Sequence, residues 1–155
     1  MSRVLVIAVP LVLSLTWPAC TVDVVKPKAR DAVTRTDIAV IAESLKQFRL
    51  DTGAYPKTGG EFLPIADVLE DTLVRQGYLR MIVRDGWGNT IRIWSDGSHF
   101  VLVSPGQNAR YDIEYLEQVK MSGVSSIESY CKLALSSASD DVVAVNDEPC
   151  FEVKH

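Results

Sequence analysis

The side chains most suited to acid–base or nucleophilic chemistry lie together in one short segment, Asp96-Gly97-Ser98-His99. A serine hydrolase needs a nucleophile, a base and an orienting acid within hydrogen-bonding reach of one another. Ser98 and His99 are neighbours on a predicted strand, where successive side chains point to opposite faces. They cannot readily work as a nucleophile and its base, so His99 is interpreted as an ordinary strand residue.

The remaining reactive side chains give no better case for catalysis. Asp140-Asp141 and Asp147-Glu148 are paired acids in turn-like surroundings, where carboxylates are usually solvated. The chain has only two histidines, too few beside its cysteines for a zinc site, and it has no glycine-rich phosphate loop. The sequence therefore predicts no catalytic residue, no cofactor and a protein that is not an enzyme.

Length and charge bound the class of protein. The chain has 155 residues, 47% of them hydrophobic and 23% charged, which is typical of one globular domain with a core. The formal net charge is −4, so there is no basic surface that would favour a nucleic-acid partner.

The first twenty residues resemble an export signal. A short basic start precedes an uncharged run over residues 4–15. As a helix this run would be about 18 Å long, too short for a bilayer core of about 30 Å. Residues 1–20 are therefore predicted to be a signal peptide rather than a permanent membrane span.

The end of this segment suggests lipidation at Cys20. Ala19-Cys20 is similar to the end of a bacterial lipobox, although Trp17 stands where leucine is usual. A plain secreted or membrane-held chain is the alternative. Because Thr21 rather than aspartate follows the cysteine, attachment to the outer membrane is favoured over retention at the inner membrane. The expected location is the periplasmic side of a membrane, reached through a lipid anchor.

Two cysteines, Cys131 and Cys150, remain after Cys20 is set aside. An even pair in an exported chain favours a disulfide over two free thiols. Such a bond would attach the C-terminal part of the chain to the rest of the domain.

Hydrophobic periodicity predicts an α+β fold. Residues 21–33 are predicted to be a tether. A helical pattern begins at Arg30, within the last part of the tether, and Gly53 ends the helix. A second helix is predicted from Pro64 to Gly77, and a hairpin over 90–103 turns at residues 95–98. Further along the chain, a helical pattern covers 125–137, and strands are predicted over 142–145 and 151–153, joined through 146–149. The long helix is expected to cover the hairpin, because an isolated hairpin is marginal in water. The helical stripe consists of Ile38, Ile41, Ala42, Leu45 and Phe48.

Four short motifs in order resemble the soluble domain of the major pseudopilin of type II secretion, the G subunit. They are DIAVIAESLKQFRLDTGAYP, GYL, DGWGNTIRI and SPGQN, and they span about residues 34–108. Gly86 stands where that family carries proline. The resemblance implies a long helix packed on a small antiparallel sheet over 34–110, with 111–155 as a C-terminal extension packed on the same domain. The motif residues singled out are Asp51, Gly53, Tyr55, Pro56, Trp87, Gly88 and Asn89.

The resemblance also implies roles and partners. It implies that Trp87 packs beside the long helix as a structural latch. Phe48 and Trp87 are both predicted to be core aromatics, and replacing either with alanine is expected to cost about 3–5 kcal/mol. Calcium, which family members hold in a loop after the sheet, is disfavoured because residues 104–110 contain no acid, and Asn108 and Asp112 are the only candidate ligands. The chain lacks the family's cleavage motif and long span. The expected function is that of a pseudopilin-like lipoprotein contacting other envelope or secretion-system proteins. A free-standing periplasmic binding protein is the alternative.

Overall fold

The computed structural model describes residues 26–111, 141–146 and 148–150. The elements in chain order are helix α1 (Lys26–Thr52), strand β1 (Leu63–Pro64), helix α2 (Ile65–Leu69), strands β2 (Arg92–Ser95) and β3 (Phe100–Ser104), and strands β4 (Val142–Val145) and β5 (Glu148–Pro149). The α+β class predicted from the sequence is confirmed.

Helix α1 has the predicted core stripe and the predicted end. Ile38, Ile41 and Leu45 are fully buried, and Phe48 is 8% exposed. Gly53 has a φ of +86° and its N–H donates to the Arg49 carbonyl, which ends the helix with a left-handed residue. Among the described residues, no helix is both long enough and apolar enough to cross a membrane.

The predicted tether is helical where the structure describes it. Residues 26–33 belong to α1, so the helix includes the described part of the tether and begins before the predicted start at Arg30. Pro27 fits there because the N–H groups of the first helical turn have no intrahelical partner to lose. An ion pair of 2.8 Å between Arg35 and Asp31, one turn apart, also supports the helix in this region.

The second predicted helix is present but is not uniform. Helix α2 continues directly into a π-helical turn over Glu70–Val74. The buried side chains of Ile65, Leu69 and Leu73 pack in the same core cluster as the α1 stripe. The periodicity therefore located the buried face, whereas the π turn left no sign in the pattern.

The five strands form one antiparallel sheet in the order β1-β2-β3-β4-β5. The predicted hairpin is confirmed as β2 and β3, with Ile93 opposite Leu102 and Trp94 opposite Val101. Strand β1 was not predicted, since a two-residue strand containing proline gives no alternating pattern. The sheet residues Ile93, Phe100 and Leu102 join the α1 core, and Val101 and Val103, which alternate with them, are buried as well.

Part of the predicted extension lies within this sheet. Strand β4 pairs with β3 along its length, with Val143 opposite Val103. The sequence predicted that Glu148 and Pro149 belong to the connection to a later strand. In the structure they form β5, which pairs with β4. The helical pattern predicted over 125–137 and the strand predicted over 151–153 lie outside the described residues.

Cys150 is buried, at 6% exposure, directly after β5, and its N–H donates to the Val143 carbonyl. Cys131 and Cys20 lie outside the described residues. The Cys131–Cys150 disulfide stays a prediction. Mass spectrometry of the non-reduced, exported protein is expected to show the two cysteine peptides joined, and two alkylatable thiols would contradict the pairing.

Candidate functional site

The motif residues form two groups at different parts of α1. Asp51, Gly53, Tyr55 and Pro56 end the helix and lead away from it. Trp87, Gly88 and Asn89 lie in the loop over 84–89, which contacts the N-terminal half of α1 through Thr34. We call this segment the 84–89 loop.

The first group closes the C-terminal end of α1. Asp51 accepts a hydrogen bond of 2.7 Å from the Tyr78 hydroxyl, which raises the pKa of Tyr78 above its ordinary value. Tyr55 is buried, its N–H donates to the Gly97 carbonyl, and its ring packs edge-on against Phe100. Pro56 is buried beside it. These contacts fix the chain between α1 and the sheet, and none of them is arranged for catalysis.

The 84–89 loop is organised around the buried carboxylate of Asp85, which is 4% exposed. One carboxylate oxygen accepts hydrogen bonds from the N–H groups of Trp87 (3.0 Å) and Asn89 (2.7 Å). The other accepts from the Asn89 side chain (3.2 Å) and the Ser104 hydroxyl (2.8 Å). The Asn89 amide also donates to the Gly106 carbonyl. Asp85 therefore joins the loop to the end of β3.

Gly86 joins the same loop to α1. Its N–H donates a hydrogen bond of 2.8 Å to the hydroxyl of Thr34, which is fully buried and itself donates to the Arg30 carbonyl. A Cβ at Gly86 would lie 2.2 Å from that carbonyl oxygen. A proline would lack the N–H that Thr34 accepts. The glycine that departs from the family pattern is thus required by the close approach of the loop to the helix.

The sequence identified Asp85 as a member of the DGWGN motif without giving it a role, and it did not single out Thr34. Asp85 did carry a signal, since it opens the DGWGN motif four residues before Asn89, a spacing suited to an aspartate that caps its own loop. Thr34 carried none. Its hydroxyl matters only because the 84–89 loop contacts the helix at that position.

Trp87 is less deeply buried than the sequence predicts. Its side chain is half-buried and lies outside the core cluster. The hydrogen bonds that join the loop to β3 and α1 are made by Asp85 and Gly86. The indole N–H of Trp87 makes no hydrogen bond to a described residue, and the ring lines a cavity of about 350 Å³ that we call the Trp87 groove. The groove is lined by Pro27, Lys28, Asp31, Arg35, Trp87, Gln107, Asp141 and Val142.

Ser98 and His99 are not arranged for catalysis. Asp96 accepts hydrogen bonds from the N–H groups of Ser98 and His99 at 2.7 Å each, and it lies 3.4 Å from the His99 ring nitrogen. Partial burial raises the pKa of Asp96. The hydrogen bonds from Ser98 and His99 together outweigh that effect, so the pKa of Asp96 lies below its ordinary value. No hydrogen bond joins the Ser98 hydroxyl to the His99 ring within this described turn. Asp96 therefore caps the turn.

Of the two candidate calcium ligands, Asn108 alone lies in the described residues. The Asn108 side-chain oxygen accepts a hydrogen bond from the Arg110 N–H, and Asp112 lies outside the described residues. In the described segments, no three side chains of His, Cys, Asp or Glu come together as a metal site.

Replacing Gly86 with alanine is expected to lower the free energy of unfolding by about 1–3 kcal/mol, because the added methyl group meets helix backbone that cannot move aside cheaply. Denaturant unfolding measures the loss. Hydrogen exchange should also show that the amides of Trp87 and Asn89 lose protection.

Gly59→Ala is the matched control, since Gly59 has a φ of +69° but no atom within 4 Å of an added Cβ. It should lose only about 1 kcal/mol from the strained backbone and leave the loop amides protected. Unchanged exchange at Trp87 and Asn89 in Gly86→Ala would refute the close approach.

Comparisons with known proteins agree with this arrangement. The family described as "Type II secretion system (T2SS), protein G" matches residues 24–121, more than half of the chain. The chain is also similar to the type II secretion system core protein G of Escherichia coli (strain K12), with 31% identity over 93 residues. That match covers 57% of this chain and 58% of the relative, so the chain spans less than two thirds of the relative's length. No solved structure matches the chain.

Proposed function

The chain belongs to the family of type II secretion system protein G, and from that membership we propose that it is a non-enzymatic envelope protein that binds other secretion-system proteins. One observation supports this proposal above the others. The DGWGN segment, which matches the family's motif except at Gly86, joins a long helix to a sheet here, with the Asp85 carboxylate saturated by hydrogen bonds. A saturated carboxylate cannot act readily as a base, whereas a rigid junction is what an assembly subunit needs.

The Trp87 groove is the proposed contact surface. A half-buried tryptophan offers a large apolar ring together with an N–H that has no described partner, and such residues often anchor protein interfaces. Lys28 lies in the same groove beside the Arg35–Asp31 ion pair, so the edge of the groove is polar, as the rims of protein interfaces are. The groove lies at the N-terminal part of α1, the part of the helix closest in sequence to the proposed anchor.

Crosslinking tests this function. A photoreactive benzoylphenylalanine at Lys28, an exposed position in the groove, is expected to capture another type II secretion subunit in intact envelopes. The same group at Arg75, whose side chain is 73% exposed away from the groove, serves as the control. A free-standing periplasmic binding protein would give no adduct with a secretion subunit at either position, and that result would refute the proposal.

Membrane attachment through Cys20 belongs to the same proposal. A tagged fatty acid is expected to label the wild-type protein and the Cys131→Ser control, but not Cys20→Ser, because lipobox cysteines carry the acyl chains. Stable attachment needs more than one acyl chain. Label retained in Cys20→Ser, or absent from the wild type, would contradict a lipid anchor at this residue.

A further inference from the structure

A second groove lies at the C-terminal end of α1 and is separate from the Trp87 groove. Its volume is about 600 Å³, and it runs between the end of the helix, the β2–β3 turn and Asn146. We call it the α1-end groove. Because α1 has 27 residues, the two grooves lie towards opposite ends of a helix about 40 Å long.

The α1-end groove is lined by basic side chains on a protein whose net charge is negative. Lys46, Arg49 and His99 line it, and none of the described lining residues is acidic. Two of the three have a described carboxylate beside them, since Glu43 faces Lys46 and Asp96 lies 3.4 Å from the His99 ring, whereas Arg49 has none. Asp51 accepts from the Tyr78 hydroxyl, and Asp96 accepts from the backbone of its own turn. Glu43 lies 4.0 Å from Lys46 and accepts from Gln47.

Arg49 is held in place but keeps unused donors. Its guanidinium carbon lies 4.8 Å from the centre of the Tyr55 ring, and one of its N–H groups donates to the Ser98 carbonyl at 3.2 Å. Arg49 forms no ion pair with any described residue. A guanidinium has five N–H donors in a fixed plane, which suits a carboxylate that accepts two of them. An arginine fixed by stacking loses little further freedom when it binds such a group.

An apolar side chain adjoins these cations. Leu50 is 70% exposed and lines the same groove, next to Arg49 in the chain. It is one of four large hydrophobic side chains that are exposed in the described part of the protein. A surface that combines a fixed arginine with spare donors and an exposed leucine is complementary to an acidic segment that also carries an apolar residue.

We propose that the α1-end groove binds an acidic, apolar peptide segment of a partner protein. A carboxylate of the segment pairs with the Arg49 guanidinium, and an apolar side chain covers Leu50. This inference goes beyond the proposed function, because it assigns a second contact surface and the chemistry of what it binds. The crosslinking test at Lys28 concerns the other groove, so either proposal can fail alone.

The test uses the purified full chain and a fluorescein-labelled peptide of repeating Glu-Asp-Leu, with Gln-Asn-Leu repeats as the neutral comparison. Fluorescence anisotropy at low ionic strength is expected to show binding of the acidic peptide alone, weakening as salt is added. Arg49→Gln and Leu50→Glu should each weaken binding at least about tenfold, since one removes the paired donor and the other adds a repelling charge.

Met81→Glu and Arg75→Gln are the matched controls, because both residues are exposed and lie outside the groove. They should bind the acidic peptide as the wild type does. Misfolding is not expected in Leu50→Glu, because the Leu50 side chain is exposed and makes no core contact. The melting temperature of Leu50→Glu should therefore match that of the wild type. Equal binding of both peptides, an equal loss in Met81→Glu, or full competition by anionic phospholipid vesicles would overturn the proposal.

Discussion

Replacing Asp85 with alanine is expected to lower the free energy of unfolding by about 3–5 kcal/mol. A hydrogen bond to a charged group contributes about 1.5–3 kcal/mol, and donors left buried without an acceptor cost more. The Asp85 carboxylate accepts four such bonds, from the backbone of Trp87 and Asn89 and from the side chains of Asn89 and Ser104. Denaturant unfolding followed by tryptophan fluorescence measures the loss.

Asp96→Ala is the matched control for Asp85. Asp96 also accepts two backbone N–H bonds in a turn, but its side chain is 42% exposed, so water can replace the carboxylate. Its loss should be about 1 kcal/mol. Asp85→Asn, which keeps the shape but turns one acceptor into a donor, should fall between the two. Equal losses for Asp85→Ala and Asp96→Ala would show that the buried carboxylate is not the latch.

Phe48→Ala is expected to cost about 3–5 kcal/mol as well, because truncation of a large core aromatic leaves a cavity. Phe48 is 8% exposed and its ring packs edge-on against Tyr78, with the ring centres 5.5 Å apart. The same unfolding experiment measures this loss, and Leu50→Ala on the same helix should change stability by less than about 0.5 kcal/mol.

Trp87→Ala distinguishes the structure from the sequence interpretation. The sequence treated Trp87 and Phe48 as equivalent core aromatics, with equal losses expected. Because Trp87 is only half-buried, its truncation should cost about 1 kcal/mol and should instead reduce the crosslink formed at Lys28. A loss as large as that of Phe48→Ala would restore the core assignment and remove the basis for the Trp87 groove as a contact surface.

The 84–89 loop shows what a sequence can and cannot reveal about such a site. The DGWGN motif located the segment, because a tryptophan between glycines and an asparagine is an unusual pattern. The motif did not show which of its side chains joins the loop to the sheet. Tryptophan is the largest apolar residue and was assigned to the core on average behaviour. Asp85 makes the junction because its carboxylate accepts hydrogen bonds both from Asn89, which is near in the chain, and from Ser104, which is distant.

The sequence by itself determined the elements whose signals are local. The apolar stripe and Gly53 located the core face and end of α1, and the Asp-Gly turn located the β2–β3 hairpin, since helix periodicity and turn conformation depend on a few neighbouring residues. The tertiary structure alone decided that the Thr34 hydroxyl accepts a hydrogen bond from the Gly86 N–H and that Leu63–Pro64 adds a strand to the sheet. It also decided that Arg49 stacks on Tyr55 and donates to the Ser98 carbonyl. These features depend on the distance between segments far apart in the chain. That distance is set by how the helix packs on the sheet, and no spacing of residues along the sequence encodes it.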